Sequence, residues 1–128
     1  MSKTAGMAPD GPRAMGPYSH YNVANGFVFV SGCGPLDPVS GQMKLGAIED
    51  ETRLTLENIG AILRAAGASF DDVVRCTVFL KDLNDFKAMN AVYGEFFPTN
   101  PPTRSTVGAD LLAGISIEID CIAALPEK

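Results

Sequence analysis

Apolar residues recur at steps of three and four in two stretches of the chain, and this spacing predicts two amphipathic helices. The first helix is expected over residues 48–67, with its buried face formed by Thr52, Thr55, Leu56, Ile59, Ile62, Leu63 and Ala66. Acidic residues at 49–51 favour its start through the helix dipole, and the glycine at position 67 is expected to end it. The second is expected over residues 83–97, with Asp82 as its N-cap.

The remaining segments have strand composition. Stretches rich in β-branched and aromatic residues predict strands at about 18–23, 27–33, 73–80, 103–109 and 115–125. Asn25-Gly26 separates the first two and predicts a hairpin. Residues 1–15, rich in Gly, Pro and Ala, predict an irregular N-terminal arm. The order ββ, α, β, α, ββ predicts one α+β domain over residues 1–128, with a mixed sheet and both helices packed on one face.

Alternation in the last strand assigns its side chains to two faces of the sheet. The apolar side chains at odd positions from 115 to 123 point one way and are expected to meet the helices, whereas Glu118 points the other way. If the preceding strand pairs with this one, Arg104 and Thr106 share the uncovered face with Glu118. The pattern therefore predicts a polar cluster on that face.

The uncovered face is also expected to carry Val28, Val30 and Ile122, which makes it too apolar to be left in water. We therefore expect a homo-oligomer whose subunit clefts contain polar groups. Alternation leaves a second interpretation open, in which Arg104 and Glu118 form an ion pair at the subunit contact and bind nothing.

The composition and charge of the chain argue against several classes of function. With 128 residues, of which 46% are hydrophobic and 20% charged, the chain has the size and balance of one globular domain. The chain has a net charge of −5, and its basic residues are scattered along the sequence. A protein that binds nucleic-acid phosphates usually has clustered basic residues, so no nucleic-acid partner is expected. No apolar run approaches the roughly 20 residues that span a bilayer, and no signal-peptide core is recognisable. These observations predict a cytoplasmic location and no membrane partner.

The chain has few candidate metal ligands. Cys33, Cys76 and Cys121 lie far apart in strand-like stretches, and we expect them to be reduced core residues. Cys33 is the one for which a reactive role stays open. His20 is the only histidine, so no metal site is expected.

The segment PTNPPTRST, residues 98–106, places a single arginine directly after several prolines. Pro101 and Pro102 each fix their own φ and restrict the residue before them, so the chain approaches Arg104 in a defined direction. An ion pair at a subunit contact does not account for this rigid approach. From the residues alone, a binding role for Arg104 and the ion pair stay equal alternatives.

Several motifs coincide in order and spacing: GPYSHY at 16–21, FVFVSGCGPLDPVSG at 27–41, and NPPTRSTV at 100–107 with the terminal IEIDCIAA. With these motifs the chain resembles the Rid family, also called the YjgF or reactive intermediate deaminase family, from about Met15 to Leu125. The resemblance implies a chorismate-mutase-like α+β fold and a homotrimer with sites in the clefts between subunits. It also implies hydrolysis of 2-aminoacrylate, 2-iminobutanoate or 2-iminopropanoate to 2-oxo acids and ammonia, without a cofactor.

The resemblance also implies roles for individual residues. Arg104 is expected to bind the substrate carboxylate, and Glu118 to position or activate the attacking water. The other expected site residues are Tyr18 and Thr106 beside the substrate, Gly32 through its backbone, and Asn90 and Cys33 as supporting residues. For Tyr18, a packing role at the subunit contact is an equal alternative.

The chain departs from the usual pattern of the family at several positions. Thr106 stands two residues after the arginine where cysteine is usual, Cys33 follows Ser31-Gly32 where glutamine is usual, and His20 stands where glutamine is common. These differences leave the preferred substrate open. They also leave open an alternative function, a trimeric binding or regulatory protein that uses the same cleft for a 2-oxo acid.

Overall fold

The computed structural model describes residues 2–126, which form one six-stranded sheet with two α-helices. In chain order the elements are β1 (Thr4–Gly6), β2 (Tyr21–Ala24), β3 (Phe27–Cys33), α1 (Ile48–Ala66), β4 (Val73–Leu80), α2 (Phe86–Phe96), β5 (Thr103–Gly108) and β6 (Ile117–Ala124). The predicted α+β class is confirmed. The ends of the predicted domain, residues 1, 127 and 128, lie outside the described range.

The predicted hairpin joins β2 to β3. Asn25 and Gly26 both have positive φ values, 52° and 81°, which is the geometry of a tight turn between twisted strands. β2 is shorter than predicted, because it begins at Tyr21 rather than near residue 18. The prediction of an irregular arm over residues 1–15 is wrong for residues 4–6, which form β1 and pair with β2. Pairing with an existing edge strand overrides the weak strand propensity of Thr-Ala-Gly.

α1 follows its predicted bounds closely. Gly67 comes directly after the helix with φ 89°, and its N–H donates to the carbonyls of Leu63 and Arg64. The first turn contains a buried charge, Glu51, whose Oε1 accepts from the N–H of Ser116 at 2.8 Å and whose Oε2 accepts from the N–H of Gly46 at 3.1 Å. Glu51 thereby connects the start of α1 to the residue before β6.

The second predicted helix consists of two parts. Residues 83–85 form a 3₁₀ turn, and α2 itself begins at Phe86. The Asp82 side chain accepts from the N–H of Asn84 at 2.9 Å, which confirms Asp82 as a cap but shows that it caps the 3₁₀ turn. One continuous helix over residues 83–97 is therefore the wrong description.

The strand order is β1-β2-β3-β6-β4-β5, and only β4 and β5 are parallel. The condition that β5 pairs with β6, on which the shared face of Arg104 and Glu118 depends, is not met, because β4 lies between them. Arg104 is paired in register with Cys76, which is 1% exposed under the helices. Paired residues in neighbouring strands point to the same side, so Arg104 and Thr106 lie on the helix side of the sheet and not on the face of Glu118.

The prediction of which apolar residues lie on the uncovered face of the sheet is wrong in part. Val28 and Val30 are buried on the helix side, whereas Phe27 and Phe29 lie on the open face and are 41% and 43% exposed. Ile122 pairs in register with Phe29 and is on the open face as predicted. The open face is therefore more apolar than the sequence analysis expects, because it carries aromatic rings in place of the valines.

Candidate functional site

The site is built around a cavity of about 280 Å³ beside the end of β3. Its walls come from the loop before β2, the end of β3, the loop after it, α1, and the segment before β6. Most of the lining is apolar, as for Leu36, Ile62 and Ile115, and Glu118 is its acidic residue. A mainly apolar cavity with few polar groups is the usual form of a site for a small molecule.

A bulge in β3 sets the geometry of this cavity. The register between β3 and β6 shifts between Val30 and Cys33, so one extra residue is accommodated around Gly32. Gly32 there faces Glu118 so closely that an added Cβ would lie 2.5 Å from Oε2 of that carboxylate. Gly32 and Glu118 are therefore in close contact within a single protomer.

The environment of Glu118 changes its acidity. Its carboxyl is half-buried in the cavity wall, and this desolvation, followed by the nearby Asp120 carboxylate, raises its pKa above the ordinary value for glutamate. A carboxylate whose charged form is disfavoured has a stronger tendency to accept a proton. Its position in the cavity wall and its raised pKa make Glu118 a candidate general base.

Gly32→Ala is expected to lower activity by about tenfold to a hundredfold while the protein stays folded, because the new methyl group would displace the Glu118 carboxylate. Steady-state kinetics and thermal unfolding measured together would test this. Gly94→Ala is the matched control, since a Cβ there meets nothing within 4 Å and alanine is a better helix former. Equal activity in the two variants would contradict the prediction.

Tyr18 and Cys33 both line the cavity, but in different ways. Tyr18 is 46% exposed at the mouth, and its hydroxyl accepts from the N–H of Met15 at 3.1 Å. Cys33 is buried, and desolvation together with the carboxylates of Glu118 and Asp120 raises its thiol pKa to about 12. Cys33 is therefore a neutral wall residue and not a nucleophile. The other two cysteines are also free and buried, as predicted.

Arg104 lies in a second polar cluster, between β5 and α2. Its guanidinium carbon is 4.7 Å from the ring centre of Tyr93 and 5.5 Å from that of Phe86. Such stacking holds the guanidinium in place while its N–H groups stay free for a ligand. Within residues 2–126 no carboxylate lies within 4 Å of Arg104, so the alternative ion pair with Glu118 is not formed inside the protomer.

Two further predicted residues belong to the Arg104 cluster. Asn90 lies four residues after Phe86 and three before Tyr93, so helical spacing puts it on the same face of α2 as the two rings. Its Oδ1 is buried without a hydrogen-bond partner among the described residues. Thr106 follows Arg104 by two residues on β5 and points to the same side.

The predicted site residues thus form two separate groups. Tyr18, Gly32, Cys33 and Glu118 border the cavity, whereas Arg104, Asn90 and Thr106 lie beside α2. The cavity lining does not include Arg104. The convergence of Arg104 and Glu118 that the sequence analysis expects is therefore absent within one protomer.

Sequence reasoning did not assign roles to several residues that shape the two groups. Phe86 and Tyr93 support Arg104, and the signal for them was their spacing on the apolar face of α2. His20, identified only as a departure from the family pattern, is buried in the cavity wall. Glu51 fixes the approach to β6, and a lone acidic residue in a helix start gives no signal of that role.

The described part of the chain contains no group of three or more His, Cys, Asp or Glu side chains arranged to hold a metal ion. None of its helices is both long and apolar enough to cross a bilayer. Besides the side chains already named, the cavity lining includes Arg13.

Comparison with known proteins identifies the family. A family model described as Endoribonuclease L-PSP matches residues 8–125. The chain belongs to the YjgF/Rid family. The Rid match covers the cavity, the Arg104 cluster and every strand except β1.

Individual relatives agree with the Rid assignment. A RutC family protein of Pyrococcus horikoshii is 48% identical over 113 residues, which cover 88% of this chain and 90% of the relative. The human 2-iminobutanoate/2-iminopropanoate deaminase is 41% identical over 113 residues, which cover 88% of this chain and 82% of that protein. The crystal structure of YyfA, a Rid family protein of Yersinia pestis, superposes with a TM-score of 0.93 at 36% identity, covering 97% of this chain and all of that one.

Proposed function

We propose that this protein hydrolyses reactive 2-imino and 2-enamino acids to 2-oxo acids and ammonia, in sites completed between the subunits of a homotrimer in the cytoplasm. The observation that carries the proposal is the desolvated Glu118 carboxylate, which lies against Gly32 in a small cavity. Similarity to a protein named as a 2-iminobutanoate/2-iminopropanoate deaminase supports this reaction class.

The lining of the cavity contains Arg13 but not Arg104, which assembly would supply. Arg104 is stacked on aromatic rings without a carboxylate partner among residues 2–126, on the other side of the sheet from Glu118. A second subunit that brings its Arg104 to the mouth of the cavity would place a carboxylate-binding residue opposite the Glu118 of the first. The exposed rings of Phe27 and Phe29 support close packing of the open sheet faces.

The reaction needs little more than orientation and one proton acceptor. Arg104 binds the substrate carboxylate, and the protonated imine carbon is already electrophilic. Glu118 accepts a proton from water as the water oxygen bonds to that carbon, which gives a tetrahedral carbinolamine. Glu118 then returns the proton to nitrogen and takes the hydroxyl proton of the carbinolamine as the carbon–nitrogen bond breaks, which gives the 2-oxo acid and ammonia. The ammonia takes up that proton and leaves as ammonium. No covalent intermediate with the protein is required.

The test couples threonine dehydratase to this protein and follows 2-oxobutanoate formation in the presence of a scavenger of free imine. Wild type is expected to accelerate product formation, and Arg104→Lys to lower kcat/KM by about a hundredfold, because an ammonium group cannot replace the bidentate fork. Arg53→Lys is the matched control, since Arg53 lies on the outer surface in an exposed ion pair with Glu95.

The same wild-type and variant proteins distinguish the proposed enzyme from the alternative, a trimeric binding or regulatory protein. Thermal-shift measurements with 2-oxobutanoate report binding whether or not the imine turns over. Stabilisation by the 2-oxo acid with no acceleration by wild type would favour binding alone. Acceleration that is unchanged in Arg104→Lys would contradict the proposed role of that residue.

A further inference from the structure

The cavity is bordered by a second charged side chain besides Glu118. Of the described residues that line it, Arg13 is the only lysine or arginine. Arg13 comes from the segment before β2, whereas Glu118 comes from β6. Because Arg13 is both an exposed residue and part of the lining, a molecule that enters the cavity can reach its side chain. A positive charge and a candidate proton acceptor therefore border the same small space.

The surrounding chain holds the Arg13 side chain beside the loop that follows β3. Pro12, which is buried, has a fixed φ and anchors the main chain directly before Arg13. Two residues after Arg13, the N–H of Met15 donates to the hydroxyl of Tyr18 at 3.1 Å. The Nε of Arg13 lies 3.2 Å from the position that a Cβ on Gly41 would take, so the glycine leaves room for the side chain. Packing of this kind reduces the conformational entropy that the side chain loses when it binds a ligand.

The charge of Arg13 has no carboxylate partner in the part of the chain that the structure describes, residues 2–126, within 4 Å. Glu118 does not neutralise it either. A guanidinium against the Glu118 carboxyl would lower the pKa of that group, whereas desolvation and the Asp120 carboxylate raise it. The cation is therefore available to an anionic group of a ligand.

We propose that Arg13 is a specificity-determining residue that binds a second carboxylate, carried by the side chain of the ligand. The inference rests on the proposed function, in which Arg104 of a second subunit binds the carboxylate next to the imine. Each planar guanidinium can bind one carboxylate through two parallel hydrogen bonds, so two arginines suit a ligand with two carboxylates. The preferred substrates are then short 2-imino dicarboxylic acids.

An apolar side chain on the ligand is the less favourable occupant of this position. It would remove the guanidinium from water without pairing it, and covering an unpaired charge costs free energy. A second carboxylate compensates for that desolvation. The cavity volume of about 280 Å³ suits a small molecule of this kind.

Two pairs of 2-oxo acids, matched in shape, test the role of Arg13. Oxaloacetate is compared with 4-methyl-2-oxopentanoate, and 2-oxoglutarate with 5-methyl-2-oxohexanoate, so that an isopropyl group replaces the second carboxylate. Calorimetry with wild type is expected to show about fivefold to thirtyfold tighter binding of the diacid in at least one pair. The preference should decrease as salt is added, because salt screens an accessible ion pair. Equal binding within both pairs would overturn the proposal.

Substitution of the arginine assigns the preference to this position. Arg13→Met keeps an unbranched side chain over Gly41 without the charge and is expected to lose the preference, whereas Arg13→Lys should keep part of it. Arg64→Met is the matched control, since Arg64 is also exposed and has no carboxylate within 4 Å among the described residues, but lies outside the cavity lining. Both methionine variants change the net charge equally, so a difference between them reports a local effect.

Two results with these variants would contradict the specificity role. One is a preference in Arg13→Met as large as in wild type. The other is an equal loss of affinity for both members of a pair, which would mean that Arg13 binds the carboxylate that the two acids share.

The outcomes also separate this inference from the proposed function. If wild type accelerates imine hydrolysis in the coupled dehydratase assay but binds the members of each pair equally, the inference alone fails. If wild type prefers the diacid, loses that preference in Arg13→Met and hydrolyses no imine, the proposed function alone fails. Binding of none of the acids would overturn the inference whatever the hydrolysis assay shows.

Discussion

Subunits carrying Arg104→Ala and subunits carrying Glu118→Gln are expected to be inactive separately and active together. The reason is that the two side chains lie on opposite faces of the sheet in one protomer, since Arg104 pairs with the buried Cys76 and Glu118 faces Gly32 on the other side. A site that needs both residues has to take each from a different subunit. A mixed oligomer contains interfaces at which one subunit contributes an intact Arg104 and the other contributes an intact Glu118.

The expected recovery follows from counting interfaces. In a random equimolar mixture each required residue is present in half of the subunits, so about one quarter of the interfaces, and about one quarter of wild-type activity, are restored. Co-expression with two affinity tags, followed by purification on both, would remove the two homotrimers. Every remaining trimer has one restored interface in three, so the purified sample is expected to show about one third of wild-type imine hydrolysis.

The matched control pairs each single variant with the double variant Arg104→Ala/Glu118→Gln. Those mixtures contain only one of the two residues in intact form and are expected to stay inactive. Mixtures of the two single variants that also stay inactive would place the whole site inside one subunit. That result would contradict both the interface site and the proposal that assembly supplies Arg104 to the cavity.

The elements of the fold could be predicted because their signals are local. The period of α1, the alternation of β6 and the Asn25-Gly26 turn each depend on neighbours within a few residues. The strand order depends on long-range pairing, and the short link between β5 and β6 was a misleading guide to it. The better signal was β4-α2-β5, since two strands joined through a helix commonly run parallel and side by side.

That error in strand order explains the error at the site. With β5 next to β6, alternation puts Arg104 and Glu118 on one face, whereas the insertion of β4 changes which side of the sheet Arg104 occupies. The identities of both residues could be read from their motifs. Their placement on separate faces, and hence the need for a second subunit, could not.

The burial of His20 shows a different limit. Its Nδ1 accepts from the N–H of Ala8, a residue 12 positions away in the arm that is predicted to be irregular. The contact between Gly32 and Glu118 similarly depends on a bulge, which β-strand alternation does not predict. Sequence motifs identify such residues as unusual, and three-dimensional contacts give the chemical reason.

Glu118→Gln is expected to lower imine hydrolysis by about a hundredfold to ten-thousandfold and to remove the acid limb of the pH profile. In wild type, kcat/KM should fall as the pH drops through the raised pKa of Glu118, above the ordinary glutamate value of 4.5, because the base becomes protonated. Asp120→Asn is the matched variant: its carboxylate contributes to raising that pKa, so its removal should move the acid limb to lower pH.

The raised pKa of Glu118 also makes the stability of the folded protein depend on pH. A carboxyl whose pKa is higher in the folded state than in the unfolded state opposes folding when it is charged, and this cost disappears as the pH falls toward 4.5. Glu118→Gln should therefore unfold at a higher temperature than wild type at pH 7, with the difference vanishing below pH 4.5. Lower stability at pH 7, or an acid limb that persists in the residual activity, would assign the titrating base to another group.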